Sequence, residues 1–238
     1  TKLQQIQKNS QRGLRIMSFG KTKLPTFSVL TTTIIIVSFL TGCGLPIDGD
    51  KKIYLEDGTL QKTKIYEDGN ISKIELYHEN GTLKQTESYH GGRLSKAEFY
   101  LENGNLDQID NYKGGILSDV EFYRGDGTLD HLEDYKEGVL SRVELYHEDG
   151  TLKRIEKYEY GTLSKIQVYF KDGTLEQIKS YKDGALSKVQ FYYNDGSLKQ
   201  MSNYENGTKS KAQLYLEDGT LDQIRIFKDG EYKYTTKP

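Results

Sequence analysis

The chain has 238 residues, with 33 Lys and Arg against 35 Asp and Glu, 24 Gly, three Pro, one Cys and no Trp. A single Cys excludes a disulfide framework and a Cys-based metal cluster, and the sequence has no run of 18 apolar residues that would form a membrane-spanning helix. Residues 1–42 carry six basic residues and no acid, so residues 43–238 hold 27 basic against 35 acidic residues. A segment with this acidic balance lacks the basic face that nucleic acid requires, and we expect no nucleic-acid partner.

The first part of the chain has the pattern of a targeting segment. Met17 is followed by Lys21 and Lys23 and then by an apolar run of twelve residues from Val29 to Leu40. This length is typical of the apolar core of a signal peptide and too short for a stable membrane span. The expected segments are an upstream extension without structure (1–16), a lipoprotein signal peptide (17–42), a tether (43–52) and a repeat region (53–238).

The apolar run ends in Leu40-Thr41-Gly42-Cys43, and these four residues resemble the lipobox of bacterial lipoproteins. In that family the Cys is acylated and becomes the mature N-terminus. The resemblance implies lipidation of Cys43, the only Cys in the chain, and attachment to a membrane through this lipid. Because Gly44 rather than Asp follows Cys43, similarity to Gram-negative sorting signals favours the outer membrane, while a Gram-positive origin stays open.

The rest of the chain is one 23-residue unit repeated eight times without insertion or deletion. In each unit, Gly follows the first Tyr after four residues and Leu follows it after six. The first tyrosine row consists of Tyr54, Tyr77, Tyr100, Tyr123, Tyr146, Tyr169, Tyr192 and Tyr215. The second tyrosine row, twelve residues further on, consists of Tyr66, Tyr89, Tyr112, Tyr135, Tyr158, Tyr181 and Tyr204, with Phe227 at the eighth position. Copies that keep this register predict a stacked repeat array.

Each unit is predicted to be a pair of short strands. Asp-Gly and Asn-Gly dipeptides are turn signals, and the segments between them have about eight residues, which is a typical strand length. No Pro occurs between Ile53 and Lys237, as continuous strand pairing requires. We therefore expect an all-β fold, an elongated and twisted single sheet of antiparallel hairpins in a meander of about sixteen strands. The polar last segment, residues 228–237, is expected to cap the open edge.

Simple alternation along the strands predicts which side chains share a face. It places Val120 and Phe122 on one face and Leu117 on the other. In the preceding strand it places Ile109 and Leu106 on opposite faces. Apolar rows are thus expected on both faces, and we expect the sheet to twist or curl so that one row is covered.

The repeat pattern resembles a known family. Tyr77-His-Glu-Asn-Gly-Thr-Leu83, followed by Tyr89-His-Gly-Gly-Arg-Leu94 and Tyr100, resembles the bacterial variant of the MORN repeat, which also occurs in YwqK-family antitoxins. The resemblance implies a twisted sheet of hairpins that serves in scaffolding or recognition rather than catalysis. A weaker likeness is to YD/Rhs repeats, which usually have a shorter period. Ser replaces a Gly that is usual in the MORN variant after the second turn, at Ser72, Ser95, Ser118, Ser141, Ser164, Ser187 and Ser210.

Few residues suggest chemistry. The four His (78, 90, 131 and 147) are expected at the surface, and the acidic residues of the turns are expected to serve turn formation and solubility. Each acid has counterparts at the same position of other units, whereas a catalytic site needs one unusual local cluster. We expect no enzyme activity, no metal site and no cofactor. The two tyrosine rows are the candidate binding residues, because rows of aromatic side chains can bind peptides, glycans or lipids.

Together these features predict a non-catalytic, lipid-anchored protein of the bacterial cell envelope. Its extended β-repeat scaffold would bind a protein or an envelope polymer of unknown identity. Two alternatives stay open. One is an antitoxin or immunity-type inhibitor that binds a toxin, and the other is lipid or glycan binding through the tyrosine rows.

Overall fold

The computed structural model describes residues 48–237, which form one open antiparallel β-sheet. Each strand pairs with its neighbours in the chain, and β1 and β17 are the two edges. The strands are β1 (Gly49–Tyr54), β2 (Leu60–Glu67), β3 (Asn70–Tyr77), β4 (Leu83–His90), β5 (Arg93–Tyr100), β6 (Leu106–Lys113), β7 (Ile116–Tyr123), β8 (Leu129–Lys136), β9 (Val139–Tyr146), β10 (Leu152–Glu159), β11 (Thr162–Tyr169), β12 (Leu175–Lys182), β13 (Ala185–Tyr192), β14 (Leu198–Glu205), β15 (Thr208–Tyr215), β16 (Leu221–Lys228) and β17 (Glu231–Thr236).

The all-β meander predicted from the repeat is confirmed. Residues 48–237 contain no helix, and therefore none that is long and apolar enough to cross a membrane. The sheet has seventeen strands rather than about sixteen, because the repeat unit contains two strands and the array both begins and ends on the same strand type. Strand β1 begins at Gly49, so residues 49–52, which the sequence predicts as part of the tether, pair with β2.

Two kinds of connection alternate along the sheet, and together with two eight-residue strands they account for the 23-residue period. The short connections have two residues. In the first of them, Asp68 and Gly69 both have positive φ angles, 48° and 71°, which is the type I′ geometry that matches strand twist. The long connections have five residues, such as 55–59. There the Asp57 carboxylate accepts a hydrogen bond from the backbone N–H of Thr59 at 2.8 Å.

Every strand pair contains one β-bulge. In the pair of β6 and β7, Asn111 lies opposite Asp119 but Tyr112 lies opposite Leu117, so Ser118 is an extra residue. The Ser118 hydroxyl donates to the carbonyl oxygen of Asn111 at 3.0 Å. The same bond, from Ser to the carbonyl seven residues earlier, occurs at Ser72, Ser95, Ser141, Ser164, Ser187 and Ser210. The serines that depart from the MORN pattern therefore hydrogen-bond at the bulges.

These bulges correct two of the predicted face assignments. Residues directly opposite each other in an antiparallel pair share a face. Leu117 lies opposite Tyr112, two residues from Asp110, and Asp110 lies opposite Val120, so Leu117 shares the face of Val120. The prediction that placed it on the other face was wrong, because the extra residue at Ser118 reverses the alternation.

The second correction concerns the start of β6. Leu106 lies opposite Tyr100 of the preceding strand, whereas Phe99 lies opposite Gln108, so Asp107 is an extra residue in this pair. Leu106 consequently shares a face with Ile109, not with the opposite row. We call the side of Ile109 face A and the side of Val120 face B.

The buried side chains lie in two central rows, one on each face. On face A they are Thr63, Thr86, Ile109 and Ile155, and on face B they are Ile74, Ala97, Val120, Ile166, Val189, Ser202 and Ala212. Most lie between longer side chains of both neighbouring strands, as Ile109 lies between Glu98 and Glu121, whereas Val189, Ser202 and Ala212 lie opposite one another. Within residues 48–237 this sheet has no second layer, so its core consists of small and β-branched residues covered by the stems of their neighbours.

Candidate functional site: the two tyrosine rows

The two tyrosine rows lie on opposite faces and near opposite ends of the strands. Tyr123, in the first row, is the last residue of β7 and lies opposite Leu129 on face A, just as Tyr100 lies opposite Leu106. Tyr112, in the second row, is the last but one residue of β6 and lies opposite Leu117 on face B. The rows therefore form two separate Tyr–Leu stripes rather than one surface.

Both stripes are half-buried along most of the array. Tyr54, at the edge, is exposed, while the other tyrosines of both rows are intermediate between buried and exposed. Neither stripe is covered at the expense of the other, so any curl of the sheet leaves both of them partly accessible. Ring edges and hydroxyl groups on both faces are consequently available to a ligand.

From Tyr77 to Tyr158, each tyrosine hydroxyl of the two rows donates to a carboxylate two residues earlier on the same strand. The distance between the two oxygens is 2.7 Å for Tyr77 and Glu75 and 2.6 Å for Tyr89 and Glu87. The remaining pairs are Tyr100–Glu98, Tyr112–Asp110, Tyr123–Glu121, Tyr135–Glu133, Tyr146–Glu144 and Tyr158–Glu156. Residues two apart in a strand share a face, so each pair lies flat on the sheet.

These contacts keep the tyrosines protonated. Burial, together with the hydrogen bond to the neighbouring carboxylate, raises the pKa of Tyr89, Tyr123 and Tyr146 to about 12. The same two causes raise the pKa of Tyr135 and Tyr158 further. A phenol with such a pKa is a hydrogen-bond donor and not a nucleophile at neutral pH.

Basic side chains neutralise several of the carboxylates. Lys73 and Glu75 are 2.8 Å apart, and Lys96 and Glu98 are 2.6 Å apart. Hydrogen bonds from Lys73 and then from Tyr77 lower the pKa of Glu75. Arg142–Glu144 on face A and Arg154–Glu156 on face B are arranged in the same way. The carboxylates therefore take part in short networks within the sheet.

The C-terminal half of the array lacks these carboxylates. The residue two positions before each tyrosine is Gln167, Lys179, Gln190, Ser202 or Gln213 in place of Glu or Asp. Within the described part of the chain, no tyrosine of either row after Tyr158 donates to a carboxylate, and Tyr192 accepts a hydrogen bond from the Gln190 amide at 3.1 Å. The two halves of each row thus differ in the hydrogen-bonding capacity that remains for a ligand.

The other candidate residues have structural surroundings. Hydrogen bonds from the Thr or Ser two residues later lower the pKa of the turn carboxyls Asp57, Asp126, Asp149, Asp172, Asp195 and Asp218. The His131 ring stacks on Phe122 with centroids 4.1 Å apart. Among residues 48–237, no group of three or more His, Cys, Asp or Glu side chains is arranged to hold a metal ion.

Sequence reasoning missed the residue that follows each first-row tyrosine. Arg124 donates to the carbonyl oxygen of Tyr146, in the next unit, at 2.6 Å. Tyr193 donates to the carbonyl of Tyr215 at 2.9 Å, and His78 Nε2 lies 3.0 Å from the carbonyl oxygen of Tyr100. Three different side chains make the same contact between units, so a search for one repeated residue type cannot find it.

A shallow cleft on the C-terminal half was also missed. It has a volume of about 570 Å³ and is lined by Phe170, Tyr192, Tyr193, Asn194, Asp195, Lys199 and Glu217. The Lys199 ammonium lies 5.2 Å from the centre of the Tyr193 ring, which is within the range of a cation–π contact. The signal in the sequence is the pair of aromatic residues, Phe170 and Tyr193, at equivalent positions of adjacent units.

Comparison with known families supports the repeat assignment at three places. Residues 72–90, 95–113 and 187–206 match the family described as MORN repeat variant. These three segments are therefore similar to MORN repeats. Each segment begins at a bulge serine and ends one or two residues after a second-row tyrosine. No curated protein matches the sequence at a significant level.

Several solved structures show limited similarity. An accessory secretory protein structure from Streptococcus pneumoniae is 17% identical, with a TM-score of 0.32 over 50% of this chain and 22% of that one. A porin-like protein from Bacteroides uniformis is 11% identical, with a TM-score of 0.23 over 78% and 86%. The Tc holotoxin pore of Photorhabdus luminescens is 13% identical, with a TM-score of 0.22 over 74% and 13%. This chain thus spans less than a quarter of the first of these proteins. Similarity at these TM-scores supports no inference about function.

The predicted lipidation residue, Cys43, lies outside the described residues, as do the signal peptide and the upstream extension.

Proposed function

We propose that the chain is a non-catalytic scaffold of the bacterial cell envelope, anchored by a lipid on Cys43, that binds a protein or an envelope polymer. The observation that carries this proposal is the pair of half-exposed Tyr–Leu stripes on the two faces of an open sheet. Aromatic side chains that present a ring and a hydroxyl to solvent are enriched in binding surfaces.

The C-terminal halves of the two rows are the better candidates for contact. In the N-terminal half the tyrosine hydroxyls already donate to Glu or Asp side chains. At Tyr192 the hydroxyl instead accepts from Gln190, so it can still donate to a ligand oxygen. Proteins and glycans both offer such oxygens, as do lipid headgroups.

A matched pair of variants tests this. We expect Tyr192→Phe with Tyr215→Phe to weaken binding of the full-length protein to cell-envelope extracts severalfold. The control is Tyr77→Phe with Tyr100→Phe, in which the lost hydroxyls were occupied by Glu75 and Glu98, and binding should stay close to that of the unmodified protein. Equal binding by both double variants and the unmodified chain would exclude the hydroxyls of the first tyrosine row as the contact.

The anchor needs a separate experiment. We expect radioactive palmitate to label the unmodified protein in cells and not the Cys43→Ala variant, and membrane fractionation should show the variant released from the membrane. Equal labelling of both proteins would refute lipidation at Cys43.

A second candidate function is inhibition of a toxin. The acidity of residues 43–238, with 27 basic against 35 acidic residues, favours a basic protein partner over an anionic polymer. A protein inhibitor should be recovered from its own cells with a stoichiometric partner. Recovery of the chain alone would count against inhibition and would leave the scaffold proposal intact.

A further inference from the structure

The most unusual exposed residue lies at the tip of a hairpin in the middle of the array. Tyr160 is the first residue of the two-residue turn between β10 and β11, with a φ angle of 50°. Its side chain is fully exposed. The equivalent position in the other turns is Asp, Asn, Gly or Glu, and left-handed φ angles favour Asp, Asn and Gly over a bulky aromatic residue.

Two further apolar side chains lie on the adjacent tips. Ile116, the first residue of β7, is 57% exposed, and Val139, the first residue of β9, is 47% exposed. A Cβ placed on Gly161 would lie 3.7 Å from Val139 Cγ1, so the tips of neighbouring hairpins touch. With two strand spacings between successive tips, the three side chains form a strip about 20 Å long. We call residues 113–116, 136–139 and 159–162 the central tips.

The charges of the central tips change in order along the strip. The first tip, 113–116, carries Lys113 and is positive, whereas the second, 136–139, carries Lys136 and Glu137 and is neutral. The third, 159–162, carries Glu159 and is negative. A net charge near zero does not suit an anionic membrane surface, which attracts basic segments. The charges instead match a second copy of the strip in reversed order, because the positive tip of each copy then meets the negative tip of the other.

We propose that the central tips are a homodimer interface in which two copies meet tip to tip across a two-fold axis at Val139. This axis places Lys113 of one copy near Glu159 of the other, and Tyr160 of one copy on Ile116 of the other. The alternative two-fold arrangement keeps the tips in the same order, and it would place Lys113 against Lys113 and Glu159 against Glu159. Charge therefore selects the reversed order.

The strip is short compared with a standard protein interface, so the dimer belongs to the weak class that is favoured by high local concentration. A tip contact of this kind leaves the first tyrosine row accessible, because Tyr192, Tyr215 and the rest of that row lie at the opposite ends of the strands. It is therefore independent of the function proposed above, and either can fail without the other.

Disulfide crosslinking of the full-length protein tests the geometry. Val139→Cys should form a disulfide-linked dimer under mild oxidation, because residue 139 faces itself across the axis. The matched control is Ala185→Cys, at the equivalent position two units further on, and the unmodified chain gives the baseline for Cys43. Ile116→Cys alone should remain monomeric but should crosslink to Thr162→Cys when the two proteins are mixed. Self-crosslinking of Ile116→Cys would overturn the reversed order, and no excess of Val139→Cys over Ala185→Cys would overturn the interface.

The contribution of Tyr160 is tested in the Val139→Cys background. Tyr160→Asn keeps a residue that accepts the left-handed φ angle, so the hairpin should fold at least as well as before. We expect the crosslinked fraction to fall at least fivefold. Lys113→Glu should reduce crosslinking similarly, and Glu159→Lys in the same chain should restore it. Unchanged crosslinking in Tyr160→Asn, or no restoration in the double charge variant, would refute the proposed contacts.

Discussion

Two valines of this sheet differ mainly in burial, and they allow the single-layer core to be tested with one substitution. Val120 is 4% exposed in the central row of face B, whereas Val139 is 47% exposed at a hairpin tip. Val→Ala removes two methyl groups at about 0.8 kcal/mol each, or about 1.6 kcal/mol for a fully buried side chain. Scaled by burial, the expected loss is about 1.5 kcal/mol at Val120 and about 0.8 kcal/mol at Val139.

A cavity should increase the loss at the buried site. Val120 lies between Asp110 and Glu133 of the two neighbouring strands, and their hydrogen-bonded side chains cannot collapse freely into the space. We therefore expect Val120→Ala to cost about 2 kcal/mol.

Urea unfolding followed by circular dichroism measures the difference. It should be performed at low protein concentration so that association at the central tips does not contribute. The Val120→Ala midpoint should lie clearly below that of Val139→Ala, with the same slope for both. Equal midpoints would refute the view that the central rows of a single sheet act as its core.

Three other perturbations have defined outcomes. The pKa of Tyr123 and Tyr146 is raised to about 12 in the folded state, so the stability that the two protonated phenols contribute to the fold is fully present below about pH 10 and is lost as the pH rises towards 12. The free energy of unfolding should therefore fall between about pH 10 and pH 12. It should fall less steeply when both tyrosines are changed to Phe. Ser141→Ala removes a partly buried hydroxyl that donates to the Asp134 carbonyl at 3.0 Å, and it should lower the free energy of unfolding in urea by about 1 kcal/mol. Ser164→Ala, whose hydrogen bond is exposed, should cost less. A larger loss in Ser164→Ala would contradict the role of burial. Arg124→Ala loses charged hydrogen bonds to the backbone carbonyls of Leu129 and Tyr146, both at 2.6 Å, and should lower the free energy of unfolding by about 2 kcal/mol. Thermal unfolding should show this loss as a lower midpoint. An unchanged midpoint would mean that the link between units is dispensable.

The period, the positions of the turns and the strand length could be predicted because they depend on local signals. Asp-Gly at 68–69 predicts a turn between two strands, and both residues have the positive φ angles expected of a tight hairpin turn. Eight identical spacings then determine the meander, since short connections only join antiparallel neighbours. The prediction of an all-β array depended on no long-range information.

The faces could not be predicted, because an extra residue in a strand leaves no clear mark when both faces carry apolar side chains. Ser118 and Asp107 are the extra residues, and each reverses the alternation beyond it. As a result Leu117 and Leu106 were placed on the wrong faces. The repeated Ser offered a signal, since a small hydroxyl at a fixed position beside a strand start is suited to bond a carbonyl at a bulge.

The tyrosine rows illustrate a second limit. Their spacing was evident from the sequence, but their separation onto two faces depends on the register between strands. The hydroxyl–carboxylate pairs, such as Tyr89–Glu87, depend on two residues of one strand that share a face, and that relation could have been read from the sequence. The contact of Arg124 with the next unit could not, because it spans 22 residues and its counterparts differ in chemistry.

Within residues 48–237 the outer strands, β1 and β17, each pair on one side only, and this has a consequence for how such a molecule changes over generations. Since each unit touches only the units beside it, gaining or losing one by unequal recombination requires no compensating change elsewhere. Every added unit lengthens the sheet by about 10 Å, two strand spacings. The gene can thus change the length of the sheet in steps of 23 codons, while the residues of every remaining unit stay the same.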